Sequence, residues 1–364
     1  MVTAGGQAGS GSGPGIGDRD GGYTTACGIL APPERPRTAA VCEEEEIHMS
    51  SVVVVGSFNV DHVWRCETLP VPGATVAGRY SSGPGGKGFN QAIAAARAGA
   101  ATAFVCSLGS DAGGAMAREL AAQDGVSVIA ESSDEPTGTG GIYVDSHGRN
   151  TIVIGPGANF TLSPGFIAAQ QPLLAGAQVV LAQLESPLES IEAAISAAHA
   201  AGATTILNPA PANAVASIWL LRQSQILTPN ETEFAALLGR HVGHRMEADD
   251  VAALDGNTLH GLCRQLLPGG TVVITLGAVG AFVSHEDEQL RGDTQPYYRV
   301  AAESAQTVDT TGAGDAFNGA LAASLAHAPQ AAFNRHVRFA NRFAARSTER
   351  EGAAASMPRL TPED

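Results

Sequence analysis

The sequence predicts an α/β fold, a mostly parallel sheet covered on both faces by helices with a smaller sheet beside it. Three observations carry this. From Val52 onward, apolar runs alternate with Ala-rich helical stretches, the pattern of βαβ units. The first run, "VVVVG" at 52–56, is apolar without a break, as in strands buried on both faces. Two shorter stretches, 73–79 and 139–154, alternate without helices between them and read as a separate lid of strands, formed by segments near 62–80 and 139–155.

Residues 1–48 read as a disordered low-complexity tail and 49–364 as the folded unit. The run "GSGSGPG" is linker-like, "PPERP" is extended, and Glu43 to Glu46 repel one another. The glycines of the tail follow no strand and miss the GxGxxG spacing, so they are no dinucleotide fingerprint. Beyond them, strands are expected at 103–107, 179–181, 205–207, 225–227 and 272–275. Helices are expected at 90–98, 112–122, 188–200, 231–238, 313–325 and 333–346.

Composition narrows the function. Hydrophobic residues at 44% can build a large buried sheet, and a net charge of -15 argues against nucleic acid or an anionic membrane as partner. The cysteines (Cys27, Cys42, Cys66, Cys106, Cys263) are odd in number, scattered and never in a CxxC spacing. That fits a reduced compartment and excludes a zinc ribbon or disulfide scaffold. No apolar run approaches the ~20 residues of a membrane span, and a soluble cytoplasmic protein is expected.

Four stretches carry chemistry. In "DTTGAGDAFNGA" (309–320) a loop with two glycines opens an Ala-rich helix, so the amides of Gly312, Ala313 and Gly314 form an anion cradle from backbone alone. A lone Asp at a helix start usually only complements the dipole. Beside a cradle for phosphate, Asp315 reads instead as a base for a hydroxyl proton. "GPGGKGFNQ" (83–91) holds the only lysine, Lys87, in a chain with 21 Lys+Arg. It is not a Walker loop, since Gly88 stands where Ser or Thr should bind magnesium. A strand-to-helix turn explains the glycines but not the lysine, whereas a compact ammonium can approach a transferring phosphoryl or a sugar hydroxyl where a guanidinium is too wide. In "SFNVDH" (57–62), after the first strand, Asn59 and Asp61 project to one side of an extended backbone and suit vicinal hydroxyls, though turn residues of this kind are common there. In "TPNETE" (228–233), Thr228 or Asn230 can cap the next helix, and Glu233 can serve magnesium through water.

Together these stretches resemble the ribokinase-like (phosphofructokinase-B) family of sugar and nucleoside kinases, from about residue 52 to 358. "GGKGFNQAIAAARAGA" and "DTTGAGDAFNGA" carry the resemblance, supported by "QLESPLES", "NPAPA" and "ITLGAVG". It implies a three-layer α/β/α sandwich with a small β-sheet lid. It also implies ATP-dependent phosphorylation of ribose at its 5-hydroxyl, with deoxyribose, fructose or adenosine as other acceptors. On the resemblance, Asp315 is the base, the amides of Gly312, Ala313 and Gly314 are the anion hole, and Lys87 serves the transfer. Asn59, Asp61, Gly85, Gly86, Lys87, Asn90 and Glu185 match sugar-side positions, while Asn230, Glu233, Thr275, Gly277 and Asn341 match the nucleotide side. A monovalent-cation (K+) site is implied at Asp309, Thr311, Ser347, Arg350, Gly352 and Ser356, with Mg2+ near Glu233. A homodimer through the lid strands is implied too. Phe89 stands where the family has a small residue and is expected to narrow the sugar pocket. A non-catalytic sugar or nucleotide sensor on the same fold is the alternative of a different class. A dehydrogenase fails for want of a glycine fingerprint.

Overall fold

The computed structural model describes residues 51–362; the tail expected at 1–48 and Met49 lie outside them. Among the described residues, thirteen strands form two sheets. They are β1 (Val52–Val55), β2 (Asn59–Cys66), β3 (Gly78–Gly85), β4 (Thr102–Gly109), β5 (Ser127–Ser133), β6 (Gly138–Val144) and β7 (Asn150–Gly155). There follow β8 (Val179–Ala182), β9 (Thr204–Leu207), β10 (Ile226–Leu227), β11 (Thr271–Thr275), β12 (Ala281–Ser284) and β13 (Tyr297–Val300).

The large sheet has the order β13-β12-β11-β10-β9-β8-β1-β4-β5. All neighbours from β11 to β5 pair in parallel; β12 and β13 add an antiparallel edge. Its strands feed two cores by simple alternation. Val52, Val54, Phe104, Cys106 and Leu181 point to a cluster shared with the helices Lys87–Arg97, Ala313–His327 and Phe333–Ser347. Val53, Val55, Val105, Val180 and Ile274 point to the opposite cluster, shared with the helices Leu188–Ala200 and Gly256–Leu266. This is a three-layer α/β/α sandwich.

The second sheet has the order β3-β2-β6-β7. Strand β2 pairs antiparallel with β3 and parallel with β6, in the register Asp61 opposite Gly83 and Gly140. The alternation read at 73–79 yields strand only from Gly78; residues 67–77 are turns and irregular backbone. Among the described residues no helix is long and apolar enough to cross a membrane.

The chain order reverses at β1, which lies between β8 and β4. In open α/β sheets a ligand crevice forms at such a point, beyond the carboxyl ends of the strands. Here Glu185 follows β8, Asn208 follows β9, Thr228 and Asn230 follow β10, and Thr275 ends β11.

Candidate active site

The helix Lys87–Arg97 begins three residues earlier than expected, and this sets the site. Gly86 turns the chain with φ 87°, where a Cβ would sit 2.8 Å from the Phe58 Cα. Lys87 becomes the first helical residue, its amide donating to Glu185 Oε2 at 3.0 Å, while Ser57 Oγ donates to the same oxygen at 2.6 Å. Glu185 thus anchors a helix start as well as contributing charge. On a helix, positions three and four apart share a face. Lys87, Asn90 and Gln91 therefore look one way and Phe89 the other. Phe89 is fully buried, edge-on to Phe58 and Phe104, so the expectation that it narrows the sugar pocket is corrected: it fills the core.

The helix Ala313–His327 opens at Gly312, which has φ 77°. It crosses the Lys87–Arg97 helix at Gly319, where a Cβ would stand 2.4 Å from the Gln91 carbonyl oxygen and 2.5 Å from the Ala94 Cβ. Asp315 lies one turn before that crossing and so meets the same helix. Asn90 Nδ2 donates to Asp315 Oδ2 and Gln91 Nε2 to Asp315 Oδ1, both at 2.9 Å. The Asn90 Oδ1 atom is buried without a protein partner.

Asp315, Lys87, Gly312, Ala313, Gly314, Asn230, Glu233 and Thr275 line one cavity of about 170 Å³ with Thr310, Asn208, Thr228 and Asn318. Burial pushes the Asp315 carboxyl above the usual aspartate range, while Lys87 and the two amide bonds pull it back. Burial also works against the Lys87 ammonium, but Asp315, Glu185 and Glu233 outweigh it and raise its pKa, so the charge is kept. Glu233 is raised too, chiefly by burial. Asn230 caps its helix reciprocally with Glu233, each accepting from the other's backbone amide at 2.8 and 2.9 Å. That leaves one Glu233 oxygen outside the cap. A larger groove of about 700 Å³, bordered by Arg222, Gly270, Glu286 and Arg291, lies at the other end of the strands and mixes both charges.

On the small sheet, Asn59 accepts from Asn159 Nδ2 at 2.8 Å. The Asp61 carboxylate lies between two glycines: a Cβ on Gly85 would meet its Oδ2 at 2.1 Å and one on Gly140 its Oδ1 at 2.5 Å. Burial, with Glu185 nearby, pushes Asp61 up to about 6.

The remaining candidates divide. Asp309 accepts from the backbone amide and hydroxyl of Thr311 and from the Gly352 amide, which together hold it below its ordinary range against the upward push of burial. Ser347 and Ser356 spend their hydroxyls on the carbonyls of Ala344 and Ala353, and Arg350 is exposed. Gly277 turns the chain after β11 with φ 51°. Asn341 does not line the cavity; its amide donates to the carbonyls of Val300 and Ala301 at 3.2 and 3.3 Å and ties down the end of β13.

Several residues of the site carried no assignment from sequence. Asn208 and Asn318 are two of these, and Asn318 donates to the Gly314 carbonyl at 2.8 Å, steadying the glycine loop; Thr228, expected as an alternative cap, leaves that part to Asn230 and turns its hydroxyl to Asn318. Asn159, Gln91 and Gly140 find their meaning only through partners far along the chain.

The fold and the cavity define a protein of the carbohydrate-kinase type. Residues 49–360 match the family described as "pfkB family carbohydrate kinase", and the chain belongs to that family. It is 37% identical to the ribokinase of Haemophilus influenzae over 85% of this chain and 95% of that one. It is similar to the solved ribokinase of Giardia lamblia (28% identity, TM-score 0.74, covering 85% of this chain and 96% of that one). It is also similar to Arabidopsis thaliana ribokinase complexed with ribose and ATP (30% identity, TM-score 0.71, 85% and 96% covered).

Proposed function

We propose that the chain transfers the γ-phosphoryl group of ATP to the 5-hydroxyl of D-ribose, giving ribose 5-phosphate and ADP. The observation that carries this is a buried carboxylate, Asp315, in one small cavity with the opening amides of its own helix and the chain's single ammonium. Asn59, Asp61 and Asn90 hold the sugar, with the partnerless Asn90 Oδ1 as acceptor for a hydroxyl. Asp315 takes the 5-hydroxyl proton as that oxygen attacks the γ-phosphorus, and the bond to the ADP oxygen breaks. The amides of Gly312, Ala313 and Gly314, the second of which also donates to the Thr310 carbonyl at 3.2 Å, serve with Lys87 the charge on the transferring group, which is most of what such a reaction asks of a protein.

Asp315 and Glu233 make the cavity acidic before ATP enters, so a nucleotide accompanied by Mg2+ fits it better than a bare anion. Among the described residues no cluster of three His, Cys, Asp or Glu could hold a metal by itself. Magnesium takes few protein ligands and keeps its waters, and the oxygen of Glu233 outside the cap suits that use. When bound, it neutralises phosphate charge. The loop tied together by Asp309, Thr311 and Gly352 supports a K+ site built from main-chain oxygens there, with Ser347, Arg350 and Ser356. The exposed apolar residues Tyr80, Ile152, Val153 and Ile154 on the outer strands support a lid that also clasps a second copy as a homodimer. Free buried Cys66, Cys106 and Cys263 suit a cytoplasmic setting.

The test is Asp315→Asn, which keeps shape and loses basicity. Turnover of ribose should fall by about 10²–10⁴-fold with ATP binding retained; unchanged turnover would remove Asp315 from the reaction. A panel of ribose, deoxyribose, fructose and adenosine, with and without potassium, fixes the acceptor.

A further inference from the structure

Gln91 is fully buried, and its side-chain amide is used on both sides. The orientation follows from the main chain. The Thr228 carbonyl can only accept, so Asn208 gives it Nδ2 at 2.9 Å and turns Oδ1 to Gln91. That oxygen needs a donor, and Gln91 Nε2 supplies it at 3.0 Å. The second hydrogen on the same nitrogen reaches Asp315 Oδ1 at 2.9 Å. The Gln91 oxygen, on the far side, accepts from Gln183 Nε2 at 2.5 Å. A donor is therefore aimed at Asp315 whether or not that carboxyl holds a proton. Asn90 differs: its oxygen has no partner, and Asp315 is its one side-chain bond among the described residues.

We infer that Gln91 is a positioning residue for phosphoryl transfer, its amide locked by Asn208 and Gln183 so that Asp315 stays ionised and correctly turned while the Asn90 oxygen is left to meet the ligand. This rests on the reading of Asp315 as the base. A permanent donor favours the charged form of an acid and so extends the pH range in which the base is ready. The charged groups facing Asp315 are Lys87 on Gln91's own helix, Glu185 after β8 and Glu233 after β10, and substitution at 91 alters none of them.

The experiment is the pH profile of kcat at saturating ribose and ATP for Gln91→Met. The acid limb should move up by about one pH unit, with kcat near pH 6 falling about tenfold and the KM for ribose staying within about threefold. A limb that does not move, whatever the loss in kcat, overturns the inference. Should Gln91→Met fail to fold, Gln183→Met decides: it leaves the donor in place but unanchored, and should give a smaller upward displacement, whereas none overturns the inference. Asp315→Asn separates the two readings. Activity retained in that variant removes the base itself; activity lost, with the limb stationary in Gln91→Met, removes only the positioning role.

Discussion

Asn159 donates from Nδ2 to Oδ1 of Asn59 at 2.8 Å, joining the helical turn after β7 to the first residue of β2. The backbone of Phe58 fixes the direction, since its amide donates to Asn159 Oδ1 and its carbonyl accepts from Nδ2, both at 2.9 Å. With its Oδ1 so occupied, Asn59 on the proposed function offers its NH2 group to the sugar. Asn159→Asp keeps the bond from the Phe58 amide and loses both donations. The KM for ribose should rise by about tenfold, the scale of one misdirected hydrogen bond, with kcat changed far less. Steady-state kinetics check this, and an unchanged KM would mean that Asn59 is held by other means.

Gly140 gives a cleaner probe of Asp61. Its φ is not in the left-handed region, so alanine strains no backbone there. Its Cβ, however, would stand 2.5 Å from Asp61 Oδ1 and displace the carboxylate. Gly140→Ala should leave the melting temperature within a few degrees, a change of about 1 kcal/mol, while lowering kcat/KM for ribose by about tenfold or more. Unaltered kinetics would exclude Asp61 from the sugar site.

Asp61 also makes stability depend on pH. Its carboxyl is raised to about 6 from 3.8, so the folded chain binds this proton more tightly than the unfolded one. The destabilisation is absent below the unfolded value, grows as pH rises between the two, and is complete above about 6. Asp61→Asn should accordingly stabilise the ligand-free protein near pH 7.5 by about 1–3 kcal/mol, with the gain gone below pH 4. Denaturant melts at both pH values measure this; an equal gain at both would place the effect outside titration.

Lys87→Arg keeps the charge but not its shape. The ammonium is set among Asp315, Glu185 and Glu233, half-buried at a helix start. A planar fork cannot approach one point as closely. Turnover should fall by about 10²-fold, as when one donor to a developing oxyanion is lost. A fully active arginine variant would return Lys87 to a structural part.

The layers and the glycine loops were legible in the sequence because their causes are local: unbroken apolar strands, alternating helices, and backbone turns that only glycine makes. Lys87 and Asp315, which the structure brings into one cavity, could be singled out for the same reason, each standing inside a short motif. The antiparallel edge of β12 and β13 was not, because four-residue strands such as "AFVS" and "YYRV" carry too little pattern to be told from loop. Phe89 misled because its neighbours Asn90 and Gln91 turn to Asp315 while its own direction depends on where the helix starts. Asn341 was placed by likeness, and its bonds to the carbonyls of Val300 and Ala301 give it a holding task. Gln91 and Asn159 could not be read, since their partners lie 224 and 100 residues away.

The missing side chain at Gly319 has an effect out of proportion to its size. Because two helices touch there backbone to methyl, the separation between a carboxylate and the amides that grip it is gauged one turn away, by an absent carbon. Any residue larger than hydrogen at 319 acts as a shim, prying the helices apart and loosening that grip without approaching either substrate. On the proposed function, the chemistry of this cavity is thus calibrated from inside the helix layer, at a buried glycine.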